Sequence, residues 1–253
     1  MNFSFLIDQD IDNIKNQTVS IIGGGGKSSL LKQLAHELAR KNLRVIITST
    51  TKFQPFPKIE MVLQEDEADY LAKVDSLLAE LKIALVAKEF YKDDNKLVGV
   101  NRQVIQELQK RADTVLIEAD GSRQRCLKTH AEHEPVIPPS TKTVIIICGA
   151  DIVGAELNEK NVHRAELFSK KWEMPIGARL TPDIIARELL SPYSYLKNVP
   201  LHAKISILIN KSDKNIIGGK LLAEKLLKKC EYPIFLGSLK SKKLRRVTLN
   251  SNF

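Results

Sequence analysis

The chain has 253 residues, 43% hydrophobic and 27% charged, so one α/β unit can bury a full core without disulfides or metal staples. Cys126, Cys148 and Cys230 stand far apart with no C-x-x-C pair, which argues against a disulfide framework or a zinc site. The start has no basic segment before an apolar run, and no later apolar stretch is long enough to span a bilayer. We therefore expect one cytoplasmic domain over residues 1–253 with no membrane contact.

The formal net charge is +9, which fits a nucleic-acid partner, an acidic protein partner or a nucleotide binder with a lysine-rich surface. Much of the excess lies in a basic C-terminal segment at about 240–253, after a lysine-rich helix at 220–229. No aromatic residue for base stacking is interleaved with the lysines and arginines of this segment. A charged, solvated tail is therefore the better interpretation, and a nucleic-acid partner is not expected.

Short runs rich in Val and Ile predict strands that are buried on both faces. These runs span 18–22, 44–48, 83–87, 114–118, 143–148, 205–210 and 233–236. Between the first two, Leu30, Leu31, Leu34, Ala35 and Leu38 recur at helical spacing and predict an amphipathic helix over 28–41. The alternation of strands and helices predicts an α/β fold, a three-layer sandwich with a mainly parallel sheet.

Residues 53–111 are predicted to form an elaboration between the second core strand and the strand at 114–118. This segment has a proline-bearing turn, a charged helix near 65–81, the strand at 83–87 and a helix near 103–110. Residues 123–140 are polar and contain Glu134-Pro135 and Pro138-Pro139. They predict an ordered surface loop beside the carboxyl edge of the sheet.

Four consecutive glycines follow the first predicted strand and precede the helix at 28–41. Residues without Cβ atoms let backbone N–H groups converge on an anion, and the helix N-terminus adds its positive end. The lysine after the glycines would neutralise phosphate oxygens, and the next serine would bind Mg²⁺. This context disfavours a plain glycine turn and predicts a P-loop NTPase-like fold. The predicted phosphate cradle comprises Gly23, Gly24, Gly25, Gly26, Lys27, Ser28 and Ser29.

The glycine loop is a shortened variant of the strict Walker A pattern, which would place a glycine where this chain has Ile21. It fits G-x-x-G-K-[ST]-[ST] and so resembles the loop of Mur-type ligases. It is also similar to the G-G-x-G-K-[ST] core of metallochaperone and signal-recognition GTPases. The loop alone therefore leaves both GTP and ATP open as the nucleotide.

Two acids end the apolar strand at 114–118, where a magnesium carboxylate is expected in a P-loop protein. Glu118 and Asp120 are two residues apart, so on a continued strand they would share one face. Asp120 is favoured as the metal carboxylate because the strand should end before it and Asp120-Gly121 can turn toward the phosphates. Together with Lys27, these two acids are the predicted catalytic residues. The alternative is a solvated turn after a buried strand.

Thr50 and Thr51 follow the second core strand, at the edge of the sheet where loops meet ligands. Their hydroxyls are secondary candidates for bonding a γ-phosphate or the water of a metal ion. The alternative is that strand propensity and helix capping explain these threonines.

The buried strand at 205–210 runs into Asn210-Lys211-Ser212-Asp213, an N-K-x-D tetrad. In GTPases the Asp of this tetrad accepts hydrogen bonds from guanine while the Lys stem packs along the ring. Adenine would leave such a carboxylate without donors. Residues 237–240 follow a later strand, where a second base-contacting loop belongs. Asn210, Lys211 and Asp213 are therefore predicted to bind the base, with GTP favoured over ATP; the alternative is an asparagine-capped turn.

The middle loops carry histidines and arginines whose role the sequence leaves open. His130 and His133 lie near two acids, but three-residue spacing in a proline-bearing loop without a third ligand does not favour a metal site. A polar loop at the nucleotide or a partner is the better interpretation. His163-Arg164 precedes a helix, and Arg164 or Arg123 can meet phosphate, the acids of a partner, or surface carboxylates.

Together these motifs resemble the YqeC family. The resemblance rests on residues 23–29, 48–52, 118–122, 128, 133–138, 149–151, 162–164 and 210–213 and spans nearly the whole chain. It implies a nucleotide-dependent accessory role in maturing a selenium-dependent molybdenum hydroxylase. A protein partner, either that hydroxylase or its cofactor machinery, is implied in the same way.

Three functions follow as hypotheses. The first is an Mg²⁺-dependent P-loop NTPase, with GTP favoured, that couples its nucleotide state to insertion or delivery of a cofactor. The second is an ATP-dependent Mur-like ligase or kinase that acts on a cofactor precursor. The third, least favoured, is a nucleic-acid binder that uses the basic tail.

Overall fold

The computed structural model describes residues 2–65, 69–92 and 95–249. Thirteen strands are formed within these ranges. They are β1 (Gln17–Gly23), β2 (Val45–Ser49), β3 (Met61–Leu63), β4 (Ile83–Ala87), β5 (Glu89–Tyr91), β6 (Lys96–Val98), β7 (Thr114–Glu118), β8 (Leu127–Lys128), β9 (Thr143–Gly149), β10 (Val162–His163), β11 (Lys204–Asn210), β12 (Ile234–Ser238) and β13 (Lys243–Val247).

Six α-helices accompany the strands, and several begin at a side-chain cap. Asn101, Thr181 and Asn215 each accept a hydrogen bond from a backbone N–H of the first turn that follows, as good N-cap residues do. The predicted helix at 65–81 is shorter than expected, and residues 66–68 lie outside the described part of the chain. The helices are α1 (Lys27–Ala39), α2 (Tyr70–Glu80), α3 (Arg102–Gln109), α4 (Ala165–Trp172), α5 (Pro182–Leu189) and α6 (Ile216–Leu227).

Nine strands form one central sheet in the order β13-β12-β11-β9-β1-β7-β2-β4-β3, in which all neighbours except β12 and β13 are parallel. Adjacent residues of β1 serve opposite faces: Ile21 packs with α1, and Ile22 packs with the helices of the other layer. The α/β three-layer sandwich is therefore confirmed. Strands from both halves of the chain share this sheet. The single domain remains a prediction.

Three segments differ from the expectations. The basic C-terminal segment is not only a solvated tail: Leu244 and Val247 are buried in β13, an antiparallel edge strand, while residues 250–253 lie outside the described part. The loop at 123–140 contains β8, which pairs with β10. The elaboration at 53–111 contributes β3 to the central sheet beside β4. Each of these strands is too short or too highly charged to show a clear apolar pattern.

The fold brings the carboxyl ends of β1, β7, β9 and β11 to one edge of the sheet. Loops at such an edge, where successive connections leave in opposite directions, are the usual ligand sites of open α/β sheets. The glycine loop follows β1, the acids end β7, and the N-K-x-D tetrad follows β11. Within the described part of the chain, no helix combines the length and apolar character needed to cross a membrane.

Candidate functional site

The four glycines are required because the protein's own atoms approach them closely. A Cβ at Gly23 would lie 2.2 Å from the carbonyl oxygen of Ile147, and one at Gly24 would lie 2.4 Å from that of Arg125. Gly25 and Gly26 also have positive φ, at 84° and 132°. A phosphate that approaches these residues would be one reason for four glycines. The structure gives a second reason, which is that neighbouring backbone fills the same space.

The backbone N–H groups at the start of the loop are already hydrogen bonded within the protein. The N–H of Gly23 donates to Asp120 Oδ2 (2.8 Å), that of Gly24 to the Ile147 carbonyl (2.9 Å), and that of Gly25 to the Arg125 carbonyl (2.7 Å). The first turn of α1 leaves its N–H groups without intrahelical acceptors, as every helix N-terminus does. The donors that face an incoming anion without rearrangement are therefore those of residues 27–29.

Lys27 is held beneath the loop in a buried cluster of charges. Its Nζ donates to the Gly23 carbonyl (2.6 Å) and to Ser122 Oγ (3.0 Å), and it lies 3.1 Å from Asp120 Oδ1 and 3.7 Å from Glu118 Oε1. Lys27 is only 3% exposed. Burial alone would lower the pKa of Lys27, but the two carboxylates outweigh it and raise that pKa. The ammonium group is thus charged and fully engaged.

The two predicted acids have different partners. Ser28 Oγ donates to Glu118 Oε2 (3.1 Å), whereas Asp120 Oδ2 accepts from the Gly23 N–H and lies 2.6 Å from His130 Nε2. Burial raises the pKa of Glu118. Burial acts the same way on Asp120, but the charges of Lys27 and Lys128 prevail and hold the pKa of Asp120 well below its usual range. Glu118, and not Asp120, is thus the acid beside Ser28, and the role of either acid toward Mg²⁺ remains a prediction.

The donor set of Ser28 and Glu118 fits Mg²⁺. A hydroxyl and a carboxylate oxygen side by side are the hard ligands that Mg²⁺ takes, and this ion usually completes its shell with phosphates and waters. In the part of the chain that the structure describes, no group of three His, Cys, Asp or Glu side chains could hold a metal. A magnesium ion at Ser28 and Glu118 would therefore depend on the nucleotide for further ligands.

Behind the loop, basic residues of the middle loops form ion pairs with Glu134. Lys128 Nζ donates to Glu134 Oε2 (2.9 Å), and Arg164 NH1 donates to the same oxygen. Burial opposes ionisation of Glu134, but Arg164 and Lys128 outweigh it and lower the pKa of that carboxyl. Arg164 therefore forms an ion pair with a carboxylate of its own chain. His130 is buried, whereas His133 is exposed.

Thr50 and Thr51 lie at the predicted edge, but their hydroxyls contact neighbouring loops. Thr50 Oγ1 donates to the Val136 carbonyl (2.8 Å), and Thr51 Oγ1 lies 3.4 Å from Ser49 Oγ. Ser49 Oγ also donates to the Glu118 carbonyl (2.7 Å), which ties β2 to β7. The structure thus gives both threonines a packing role at the end of β2, and their role toward a phosphate remains a prediction.

Asn210 connects the N-K-x-D tetrad to the glycine loop. Its Nδ2 donates to the Gly25 carbonyl (2.7 Å), and its Oδ1 accepts from the Leu239 N–H (3.0 Å). Lys211 has a left-handed φ of 59°, and its Nζ lies 2.8 Å from Cys126 Sγ and 3.2 Å from Asp151 Oδ2. The tetrad, the glycine loop and the loop after β12 are therefore one connected unit.

An open depression of about 300 Å³ lies between these elements. Asp213 is exposed at its wall, and a hydrogen bond with Ser238 lowers the pKa of Asp213, so the carboxylate is ionised at neutral pH. The size and polar rim suit a planar base. The depression is lined by Gly25, Gly26, Ser29, Gln33, Asn210, Lys211, Asp213, Lys214, Ser238, Leu239 and Lys240.

Sequence comparisons identify relatives of this chain. The sequence model of the family described as YqeC protein matches residues 19–166, more than half of the chain. The uncharacterized protein YqeC of Escherichia coli (strain K12) is 33% identical over 236 residues, which are 91% of each protein. The chain belongs to the YqeC family.

Two solved structures are similar to this YqeC-family chain over most of its length. FlhF complexed with GMPPNP/Mg(2+) is 14% identical with a TM-score of 0.44, and the match covers 92% of this chain and 70% of that one. FtsY from Mycoplasma mycoides is 13% identical with a TM-score of 0.40, covering 97% of this chain and 71% of that one.

Several site residues of this YqeC-family chain were missed by the motif analysis. Ser122 and Arg125 contact Lys27 and Gly25, and Cys126 and Asp151 hold the ammonium group of Lys211. Positions 122 and 151 are among the residues that carry the family resemblance, but the sequence predicted no role for them. Residues 121–126 directly follow the acids of β7, and that position was the available signal that they reach the glycine loop.

Proposed function

We propose that this protein binds a nucleoside triphosphate with Mg²⁺ at the carboxyl edge of its sheet and hydrolyses it. The observation that carries the proposal is the depression of about 300 Å³ that runs from Gly25 and Gly26 to Asn210 and Asp213. A base in this depression would place its phosphates toward the N-terminus of α1, whose free N–H groups favour an anion.

Each residue of the loop then has a stated role. Lys27, with Gly23 to Gly26 around it, would neutralise the phosphates once it leaves part of its present cluster. Ser28 and Glu118 would hold Mg²⁺, which supplies charge neutralisation at the phosphate oxygens. Asp120 is proposed to position Lys27 and the Gly23 N–H, with Ser29 at the mouth of the site.

The base is proposed to be guanine. The ionised Asp213 carboxylate stands at the wall of the depression, and only guanine offers it two N–H donors. The family resemblance adds a proposed setting, the maturation of selenium-dependent molybdenum hydroxylases in the cytoplasm with a protein partner. This setting rests on family membership and not on the geometry of the site.

Calorimetric titration of the protein with GTP and ATP tests the proposal, in the presence of Mg²⁺ and again with a chelator. We expect GTP to bind more tightly than ATP, with Mg²⁺ strengthening both. Release of inorganic phosphate together with the nucleoside diphosphate, in the absence of any other substrate, would establish hydrolysis. The absence of binding by either triphosphate would refute a nucleotide site.

A second candidate, an ATP-dependent ligase or kinase acting on a cofactor precursor, is favoured by the position of Asp213. Its carboxylate is exposed, and an exposed acceptor discriminates between bases less strongly than a buried one. ATP preference, with ADP formed only when a precursor is added and modified, would favour this candidate over an NTPase.

A further inference from the structure

Residues 121–126 form a segment that lies directly against the glycine loop. The Arg125 carbonyl accepts the Gly25 N–H (2.7 Å), and Ser122 Oγ accepts from Lys27 Nζ (3.0 Å). A Cβ at Gly24 would lie 2.4 Å from the same Arg125 carbonyl. The segment thus takes up one backbone donor of the loop and one bond of the phosphate lysine.

The Arg125 carbonyl and a phosphate group would compete for the same place. The Gly25 N–H already donates to the Arg125 carbonyl, so it is not free to bind a phosphate oxygen. The negative end of the carbonyl dipole also repels an anion. A triphosphate that uses the whole glycine loop therefore has to displace this carbonyl. The donors of residues 27–29 would remain available for a first contact.

The segment is held at both ends and by a turn in which the Arg125 N–H donates to the Ser122 carbonyl (2.9 Å). Its ends are fixed, because Lys128 Nζ donates to the Gly121 carbonyl (2.5 Å) and the Gly149 N–H donates to the Cys126 carbonyl (3.0 Å). Between them, Arg123 and Gln124 have left-handed φ values of 46° and 63°, which are unfavourable for residues with side chains.

The guanidinium group of Arg125 is the side-chain anchor in the middle of the segment. Its Nε donates to the Glu159 carbonyl and its NH1 donates to the Arg123 carbonyl (3.2 Å). The bond to Glu159 ties the segment to another part of the chain, and the bond to Arg123 stabilises the strained turn itself, with the Arg125 carbonyl on Gly25. Loss of the anchor would let the turn relax away from the loop.

We propose that residues 121–126 gate the phosphate end of the site and that Arg125 is the positioning residue that keeps this gate closed. The proposal rests on the proposed nucleotide function. The apparent affinity of a ligand decreases when a smaller fraction of the protein is in the binding-competent state. A gate that is open more often therefore gives tighter binding.

The experiment compares the parent, Arg125→Ala and the control Gln124→Ala. Gln124 is the exposed neighbour of Arg125 and also has a left-handed φ, so the control perturbs the same turn but keeps the anchor. Stopped-flow binding of a fluorescent GTP analogue gives association and dissociation rates. We expect Arg125→Ala to raise the association rate about three- to tenfold, the effect of one lost hydrogen-bonded anchor, with little change in dissociation. Loss of the positive charge of Arg125 would by itself lower the association rate of the anionic nucleotide, so it cannot account for a higher rate.

Hydrogen exchange without nucleotide provides a second readout. Arg125→Ala should speed exchange in the peptide that contains the Gly25 amide, whereas Gln124→Ala should not. Unchanged exchange, or equal association rates in the two variants, would overturn the gate. Faster exchange in a protein that binds neither GTP nor ATP would instead overturn the proposed function and, with it, the gating role.

Discussion

The two ends of the candidate nucleotide site differ in how they are prepared for a ligand. At the base end, an open depression of about 300 Å³ already has an ionised carboxylate, Asp213, at its wall. At the phosphate end, Lys27 is 3% exposed, and its ammonium group donates to Gly23 and Ser122 and forms an ion pair with Asp120. The difference indicates that a base can enter without rearrangement, whereas phosphates have to compete with the protein's own acceptors. The base end is therefore called the open end, and the phosphate end is called the closed end.

The largest effect is expected from Lys27→Met, which removes the cation from the closed end. Triphosphate binding should fall at least about a hundredfold, because the phosphates lose a charge-assisted partner in a buried setting. Stability should fall as well, by about 3 kcal/mol, since Glu118 and Asp120 lose the buried cation that they share.

Calorimetry and chemical denaturation measure the two effects of Lys27→Met separately. Lys32→Met on the same helix is the control and should change neither quantity much, because Lys32 Nζ makes a long hydrogen bond of 3.5 Å to the Pro57 carbonyl. Normal stability in Lys27→Met would mean that the charge cluster does not support the fold.

Next in size is Asp213→Asn, which changes the open end alone. If Asp213 accepts two N–H donors from guanine, the variant should lose about ten- to a hundredfold in GTP affinity. It should also favour xanthosine triphosphate, whose 2-oxo group accepts a hydrogen bond from the new amide. Competition among four nucleotides at fixed Mg²⁺ measures the ranking, and Lys214→Met, also at the wall, is the control. An unchanged ranking would contradict base recognition by the tetrad.

Much of the closed end could be predicted from the sequence, but its internal pairing could not. The glycine run, Lys27 and the acids after an apolar strand follow from residue types and spacing, and all lie together in the structure. Which of the two acids lies beside Ser28 could not be predicted. The answer depends on His130 and the Gly23 N–H, which contact Asp120 from segments distant in sequence. Spacing within one strand carries no information about such partners.

The strand at the C-terminal edge of the sheet, β13, could not be predicted from the sequence for a different reason. Lys243, Arg245 and Arg246 dominate β13, and only Leu244 and Val247 among its five residues are buried. Charged residues are common on edge strands, which they protect from pairing with other chains. Composition therefore suggested a solvated tail, and only the pairing with β12 identifies a strand.

A smaller effect should separate the two acids of the closed end. Glu118→Gln should raise the Mg²⁺ concentration needed for half-maximal nucleotide binding about tenfold, as loss of a metal ligand's charge usually does. Asp120→Asn should change this concentration less, because Asp120 contacts Gly23, Lys27 and His130 and not Ser28. Titration of Mg²⁺ at fixed nucleotide decides between them, and the reverse order would return the metal to Asp120.

The smallest effect is a change in how stability depends on pH, and it tests the closed end without any ligand. The pKa of Asp120 is held below its usual 3.8 chiefly because Lys27 and Lys128 outweigh burial, so Asp120 contributes stability above that pH and loses it on further acidification. Burial raises the pKa of Glu118 above 4.5, which has the opposite sign: the folded state takes up a proton first, and stability increases as the pH falls toward 4.5. Asp120→Asn should therefore lessen the loss below about pH 4, whereas Glu118→Gln should remove a gain between neutral pH and about 4.5. Urea denaturation of the parent and both variants from pH 7 to pH 3 measures these slopes. Because the two windows do not overlap, each variant is the control for the other, and identical slopes in all three proteins would show that the cluster around Lys27 is not ionised as described.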